Sequence, residues 1–232
     1  MTAPLLLQST IIGLSIGSIY ILMALGLTLM FGMMHIINFA HGAVYMLGAF
    51  VIYYVFFQGS VPYFAAFVLA MVLLGAFGYL VERTIYRPIK GGIEPTLVAL
   101  LALTTFLQAA GYPVFGQLDK HVPPVLQGTR NILGVMISVE RLMIIPVAGA
   151  LMAPIFKLDP MMGEQPLLKA FIIIILGGLG SIPGAILGGI MLGLIDSIVA
   201  TALGAEPAFL LSFVFIILVL LFKPTGLFGH AP

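Results

Sequence analysis

Residues 4–31 read PLLLQSTIIGLSIGSIYILMALGLTLMF, without one Asp, Glu, Lys or Arg. A helix rises about 1.5 Å per residue, so roughly 20 residues cross a bilayer core. This run is long enough. Lipid offers the backbone no hydrogen-bond partners, so only helices and closed barrels cross it. A barrel strand alternates apolar and polar residues. Stretches such as Ile172-Ile173-Ile174-Ile175-Leu176 do not alternate. The reading is an all-α, polytopic transmembrane helix bundle.

The rest of the chain agrees. Of 232 residues, 62% are hydrophobic and 7% charged; soluble domains carry about 25% charged residues. The first formal charge is Glu82. A net charge of +1 gives no case for nucleic acid. The absence of cysteine excludes disulfides and thiolate sites, and with four histidines a structural zinc site is not expected. The N-terminal run lacks the basic flank and short core of a secretory signal, and reads as a retained span.

Further apolar runs follow at Ala43–Phe57, Val61–Val81, Pro95–Phe115, Leu142–Phe156, Ala170–Ile195 (continuing past Asp196 to Leu203) and Ala208–Phe222. That makes about seven membrane segments in a single domain, residues 1–232. Gln58-Gly59-Ser60 reads as a turn with Pro62 opening the next helix. Residues 116–131, with Asp119, Lys120, His121, Pro123, Pro124 and Arg130, read as an exposed loop. Basic residues favour the cytoplasm. Arg83, Arg87, Lys90 and Lys223 therefore place the 82–92 loop and the tail there, and the Gln58 turn and N-terminus outside.

Two stretches are too polar or too glycine-rich for continuous helix. One is His35-Ile36-Ile37-Asn38-Phe39-Ala40-His41-Gly42. The other is Gly177-Gly178-Leu179-Gly180-Ser181-Ile182-Pro183-Gly184. Irregular backbone at membrane depth survives only where protein or water covers it, and transporters use such breaks at substrate and gating sites. Each break precedes a Gly-Ala pair, Gly42-Ala43 and Gly184-Ala185, as an internal repeat would. Asn38, His41 and Gly42 either cap a bend or line a pathway. The same alternatives hold for Gly177, Gly178, Gly180, Pro183 and Gly184, where the other role is close helix packing. Gly13/Gly17 and Gly189/Gly193, at four-residue spacing, are read as packing positions.

Several chemical motifs fail. Gly13-Leu14-Ser15-Ile16-Gly17 matches a nucleophile elbow, but lies inside an apolar helix with no acid nearby. No lysine precedes Ser or Thr, so there is no phosphate-binding loop and any ATP is hydrolysed elsewhere. Asp196 is the one charge read as intramembrane, with a structural hydrogen-bond acceptor as its expected role. Glu82-Arg83 and Glu140-Arg141 read as interfacial anchors. No catalytic residue, metal ligand or cofactor is expected.

Gly26-Leu27-Thr28-Leu29-Met30-Phe31-Gly32, followed by Ile36-Ile37-Asn38-Phe39-Ala40-His41-Gly42, closely resembles the permease subunits of branched-chain amino acid ABC importers. So do Glu82-Arg83 with Tyr86-Arg87-Pro88, Leu176 to Ala185, and Lys223-Pro224-Thr225-Gly226-Leu227-Phe228-Gly229. The resemblance runs from about Leu6 to Gly229. It implies a multi-pass protein of the bacterial inner membrane. Its partners would be a second permease, two cytoplasmic ATPase subunits and a periplasmic substrate-binding protein. Family members also carry a charged cytoplasmic segment between their fifth and sixth spans. Here Arg141–Ala150 resembles the start of the fifth and Leu151–Pro154 the end of the sixth, with several tens of residues missing between. That removes the element expected to dock on the ATPase. The competing readings are an ion-coupled secondary carrier, which would normally show paired intramembrane acids, and a truncated permease that does not transport.

Overall fold

A computed structural model describes residues 3–36, 38–89, 92–116, 120, 122, 128–132, 135–138 and 158–228. Seven α-helices and one hairpin occur among these residues. They are α1 (Ala3–Met34), α2 (His41–Ile52), α3 (Tyr63–Val81), α4 (Ile93–Phe115), β1 (Thr129–Ile132), β2 (Val135–Ser138), α5 (Glu164–Gly177), α6 (Ile182–Leu203) and α7 (Ala205–Phe222). Helices α2 and α3 each end in a π-helical turn, Tyr53–Gln58 and Glu82–Tyr86. Six of the helices, with these extensions, are long and apolar enough to cross a membrane: all but the 14-residue α5. The polytopic helical bundle read from the sequence is what forms.

Contacts gather in two compact units. The first comprises residues 1–35, 126–151 and 168–232; the second comprises 36–125 and 152–167. In the first, α1 and α6 make the most extensive contact among the described elements. Glycine allows it. A Cβ on Gly13 would stand 2.9 Å from Gly193 O, and one on Gly17 would stand 2.9 Å from Gly189 O. The rising α1 positions thus oppose falling α6 positions, and the helices run antiparallel. Both expected small-residue pairs pack, and they pack on each other. Ser197 Oγ adds a hydrogen bond to Ser9 O at 2.7 Å. Ser15 lies in this helix, its Oγ donating to Ile11 O at 3.0 Å, so no elbow forms around it. Helix α7 packs on α6.

In the second unit the core gathers Met46, Ala49, Phe50 and Tyr53 of the α2 segment with Ala70 of α3, Val122 and Leu158. Phe50 and Phe115 stack at 4.0 Å between centroids. Lys120 and Leu158 form an antiparallel bridge, with N···O distances of 3.1 and 2.8 Å. Lys120 Nζ reaches Tyr54 Oη at 2.6 Å and sits over the Tyr53 and Tyr54 rings. Helix α3 buries only Ala66 and Ala70 and exposes an otherwise apolar surface, as a span against lipid requires.

The sequence reading differs from the structure at the polar stretch after α4. The stretch read as loop through Asn131 ends in a hairpin instead: Thr129 pairs with Ser138 and Ile132 with Val135, and β2 contacts α1. The block from Ala170 to Leu203 divides at the expected glycine break, where Gly178 and Gly180 take φ of +98° and +82°, a conformation that terminates a helix. The apolar run Leu142–Phe156 lies outside the described residues.

Candidate functional site

Four residues of the first unit meet around a buried charge. Lys169 on α5 places Nζ 2.7 Å from Asp196 Oδ1 on α6 and donates to Ser212 Oγ on α7 at 2.7 Å. Ser212 Oγ lies 2.5 Å from the same carboxylate oxygen, and Tyr20 of α1 donates to Oδ2 at 2.9 Å. The Lys169 ammonium also faces the Phe209 ring at 4.9 Å. Asp196 is thus the hydrogen-bond acceptor expected. It is not the only buried charge. Lys169, directly before the apolar block that starts at Ala170, is buried and paired as well. An unpaired charge there would be costly; here both carboxylate oxygens have donors. The arrangement ties four helices.

The first break falls where expected. Helix α1 ends at Met34, and His35 takes φ +53°, a left-handed conformation rare outside glycine, with its N–H on Phe31 O at 2.8 Å. Asn38 Oδ1 accepts from Ala40 N at 2.9 Å, and His41 N donates to Asn38 O at 3.2 Å. Asn38 thereby closes a side-chain turn that starts α2. Gly42 follows in the first turn of α2, where a Cβ would stand 2.7 Å from Gly163 O. Asn38 and Gly42 are buried and His41 half-buried.

The second break is a glycine corner. Helix α5 stops at Gly177; Ser181 N takes up Gly178 O at 3.0 Å. Ser181 then caps α6, its Oγ accepting from Gly184 N at 3.1 Å, with Pro183 in the first turn. Gly177 and Gly184 lie backbone against backbone, with no room for a Cβ on either. Gly178 is buried, whereas Gly180 and Pro183 are exposed. Nothing lies within 4 Å of a Cβ on Gly180. Its expected packing role is therefore corrected: Gly180 serves the turn through its positive φ, not a helix contact. Both Gly-Ala pairs thus open a helix with their glycine on another glycine's backbone, Gly42 on Gly163 and Gly184 on Gly177.

The structure brings Gly177, Gly178 and Gly184 together. Asp196 stands apart, three turns along α6, about 18 Å at 1.5 Å per residue. Sequence reasoning missed Lys169, Ser212 and Tyr20 as its partners, and Gly163 and Gly226 as close backbone neighbours. The available signals were Lys169 directly before Ala170, and Ser212 inside the last apolar run.

Six helices long and apolar enough to cross a membrane, glycine breaks and a buried charge pair mark a multi-pass membrane protein. Comparison with known proteins gives the kind. The model of the family described as branched-chain amino acid transport system / permease component matches residues 9–139 and 146–222, and the chain belongs to that family. It is 31% identical over 295 positions to the high-affinity branched-chain amino acid transport system permease protein BraD of Pseudomonas aeruginosa, covering 97% of this chain and 96% of the relative. It is 28% identical over 296 positions to the permease protein LivH of Escherichia coli, with the same coverage. The LivH protein of Salmonella typhimurium is 27% identical over 296 positions, also 97% and 96% covered. No solved structure matches the chain significantly. The BraD alignment has 295 positions and this chain has 232 residues, so at least 63 positions of BraD face a gap. The family match is itself interrupted between residues 139 and 146, close to the junction where a segment is expected to be missing.

Proposed function

We propose that this chain is the membrane-spanning permease subunit of an ABC importer. It carries branched-chain or related amino acids across the bacterial inner membrane, driven by ATP hydrolysis on separate subunits. Its partners are a second permease subunit, two cytoplasmic ATPase subunits and a periplasmic substrate-binding protein. The observation that carries this reading is the near full-length likeness to relatives named as branched-chain amino acid permeases. The glycine corner at 177–184 and the Asn38–Gly42 turn are the elements we place beside the pathway. Polar and irregular backbone of this kind needs protein or water around it.

A second reading is favoured by one observation, the gap of at least 63 positions relative to BraD. On that reading the chain inserts as a permease but couples poorly to its ATPase. Radiolabelled leucine uptake into reconstituted vesicles, with ATP inside and the substrate-binding protein outside, tests both. Uptake that stops when ATP is withdrawn supports a coupled subunit. A chain that inserts and pairs with the second permease but gives no uptake supports the second reading. Uptake driven by an ion gradient without ATPase would overturn both in favour of a secondary carrier.

A further inference from the structure

We propose that residues Gly226–Phe228 form a latch that holds the glycine corner between α5 and α6 closed and ties it to the end of α7. The last carbonyls of a helix lack intrahelical partners. At the end of α5 two of them are filled from far along the chain: Leu227 N donates to Leu176 O at 2.7 Å, and Phe228 N donates to Gly177 O at 3.0 Å.

The sequence builds this contact locally. Pro224 cannot continue α7, which stops at Phe222. Gly226 N turns back onto Lys223 O at 2.9 Å, and Lys223 Nζ donates to Leu227 O at 2.6 Å, closing the tail on itself. Gly226 takes φ +78° and is buried; a Cβ there would stand 2.6 Å from both Gly178 N and Ile175 O. Only glycine satisfies both the conformation and the approach.

The consequence is a ring. Helix α5 leads through the corner to α6, α6 leads to α7, and the tail of α7 returns to the end of α5. The Lys169–Asp196–Ser212 cluster ties the same three helices at a second level. The corner at 178–181 therefore cannot open while the tail stays docked, and corner and tail move as one unit. This holds whichever solute the protein carries.

Hydrogen exchange followed by mass spectrometry, on the full chain in lipid nanodiscs, tests the latch. The amides of Leu227 and Phe228 are expected to exchange roughly tenfold to a hundredfold more slowly than in an unstructured peptide, as a pair of protected hydrogen bonds requires. Gly226→Val, and separately a stop codon in place of Thr225, should raise exchange across Ile175–Ser181. Exchange over the Gly13–Gly17 stretch of α1 should stay unchanged. Free-peptide exchange of the tail in the unaltered chain would overturn the proposal, and that reading needs no variant to fold. So would an unchanged corner in the truncated chain.

Discussion

Lys169 Nζ stands 2.7 Å from Asp196 Oδ1, with the two residues 3% and 9% exposed. A buried pair of this kind gains little over an apolar replacement, but removing one member strands the other's charge, at about 3–5 kcal/mol. Lys169→Met and Asp196→Leu should each lower the thermal midpoint and the amount of chain recovered from membranes. The double variant should recover most of the loss, because no charge is then stranded. A double variant as damaged as the sum of the two singles would refute the pairing argument.

The α1–α6 crossing rests on Gly13 and Gly17 against Gly193 and Gly189. Gly17→Leu should destabilise strongly, since its Cβ alone would meet Gly189 O at 2.9 Å, and overpacking typically costs about 1–3 kcal/mol. Gly75→Leu on α3 is the matched control, with nothing within 4 Å of its Cβ. Thermal unfolding in detergent should separate the two. Equal midpoints would mean that the crossing tolerates side chains.

The spans were legible because apolar length alone decides them. Val61–Val81 becomes Tyr63–Val81, Pro95–Phe115 becomes Ile93–Phe115, and Ala208–Phe222 becomes Ala205–Phe222. Both breaks were legible from glycine, proline and polar residues at membrane depth. What was not legible depends on contacts distant in sequence. Lys169 and Asp196 are 27 residues apart, and nothing local to Lys169 distinguishes it from a loop cation. The tail contact joins Leu227 to Leu176, which no periodicity reveals. Gly180 and Gly184 look alike in a four-residue spacing, yet one is a turn residue and the other a packing residue. The difference lies in a φ angle, which composition does not carry.

That difference between Gly180 and Gly184 is measurable. Gly180→Val should cost roughly 1–2 kcal/mol, the penalty of a left-handed conformation for an L-residue, while Gly180→Asn should be tolerated. Gly184→Val should cost more than Gly180→Val, because its Cβ meets the backbone of Gly177. Thermal midpoints of the three variants give the order. Asparagine at 180 as harmful as valine would show that space, not conformation, governs that position.

The turn at Asn38 should be shielded from lipid. Asn38 is 9% exposed and its side chain is engaged with Ala40 N. The chain has no cysteine, so Asn38→Cys and His41→Cys each introduce a lone thiol. Both should react slowly with a lipid-soluble maleimide, compared with Leu73→Cys on the exposed face of α3. Labelling of both at the control rate would place this break on the lipid surface and away from any pathway.

The interrupted match leads to the last expectation. Coupling between an ATPase and a pore passes through contacts that differ between two states. The 82–92 loop, which we place in the cytoplasm, offers a poor lever. Among its described residues are a π-helical turn and an exposed ion pair, Arg87 Nε to Glu82 Oε1 at 2.7 Å, and an exposed pair of this kind contributes about 0–1 kcal/mol. Pro88 and Gly91-Gly92 follow directly. On the second reading, in which the gap costs coupling, the chain inserts stably yet retains little ATPase on co-purification and gives no ATP-dependent leucine uptake. Inserting a family-like charged segment near Gly149, at the junction expected from the sequence, should restore both. Co-purification with the ATPase reads the docking and uptake reads the coupling, so a docking failure and a coupling failure are told apart. Full ATP-driven uptake by the unaltered chain would show that the segment is dispensable.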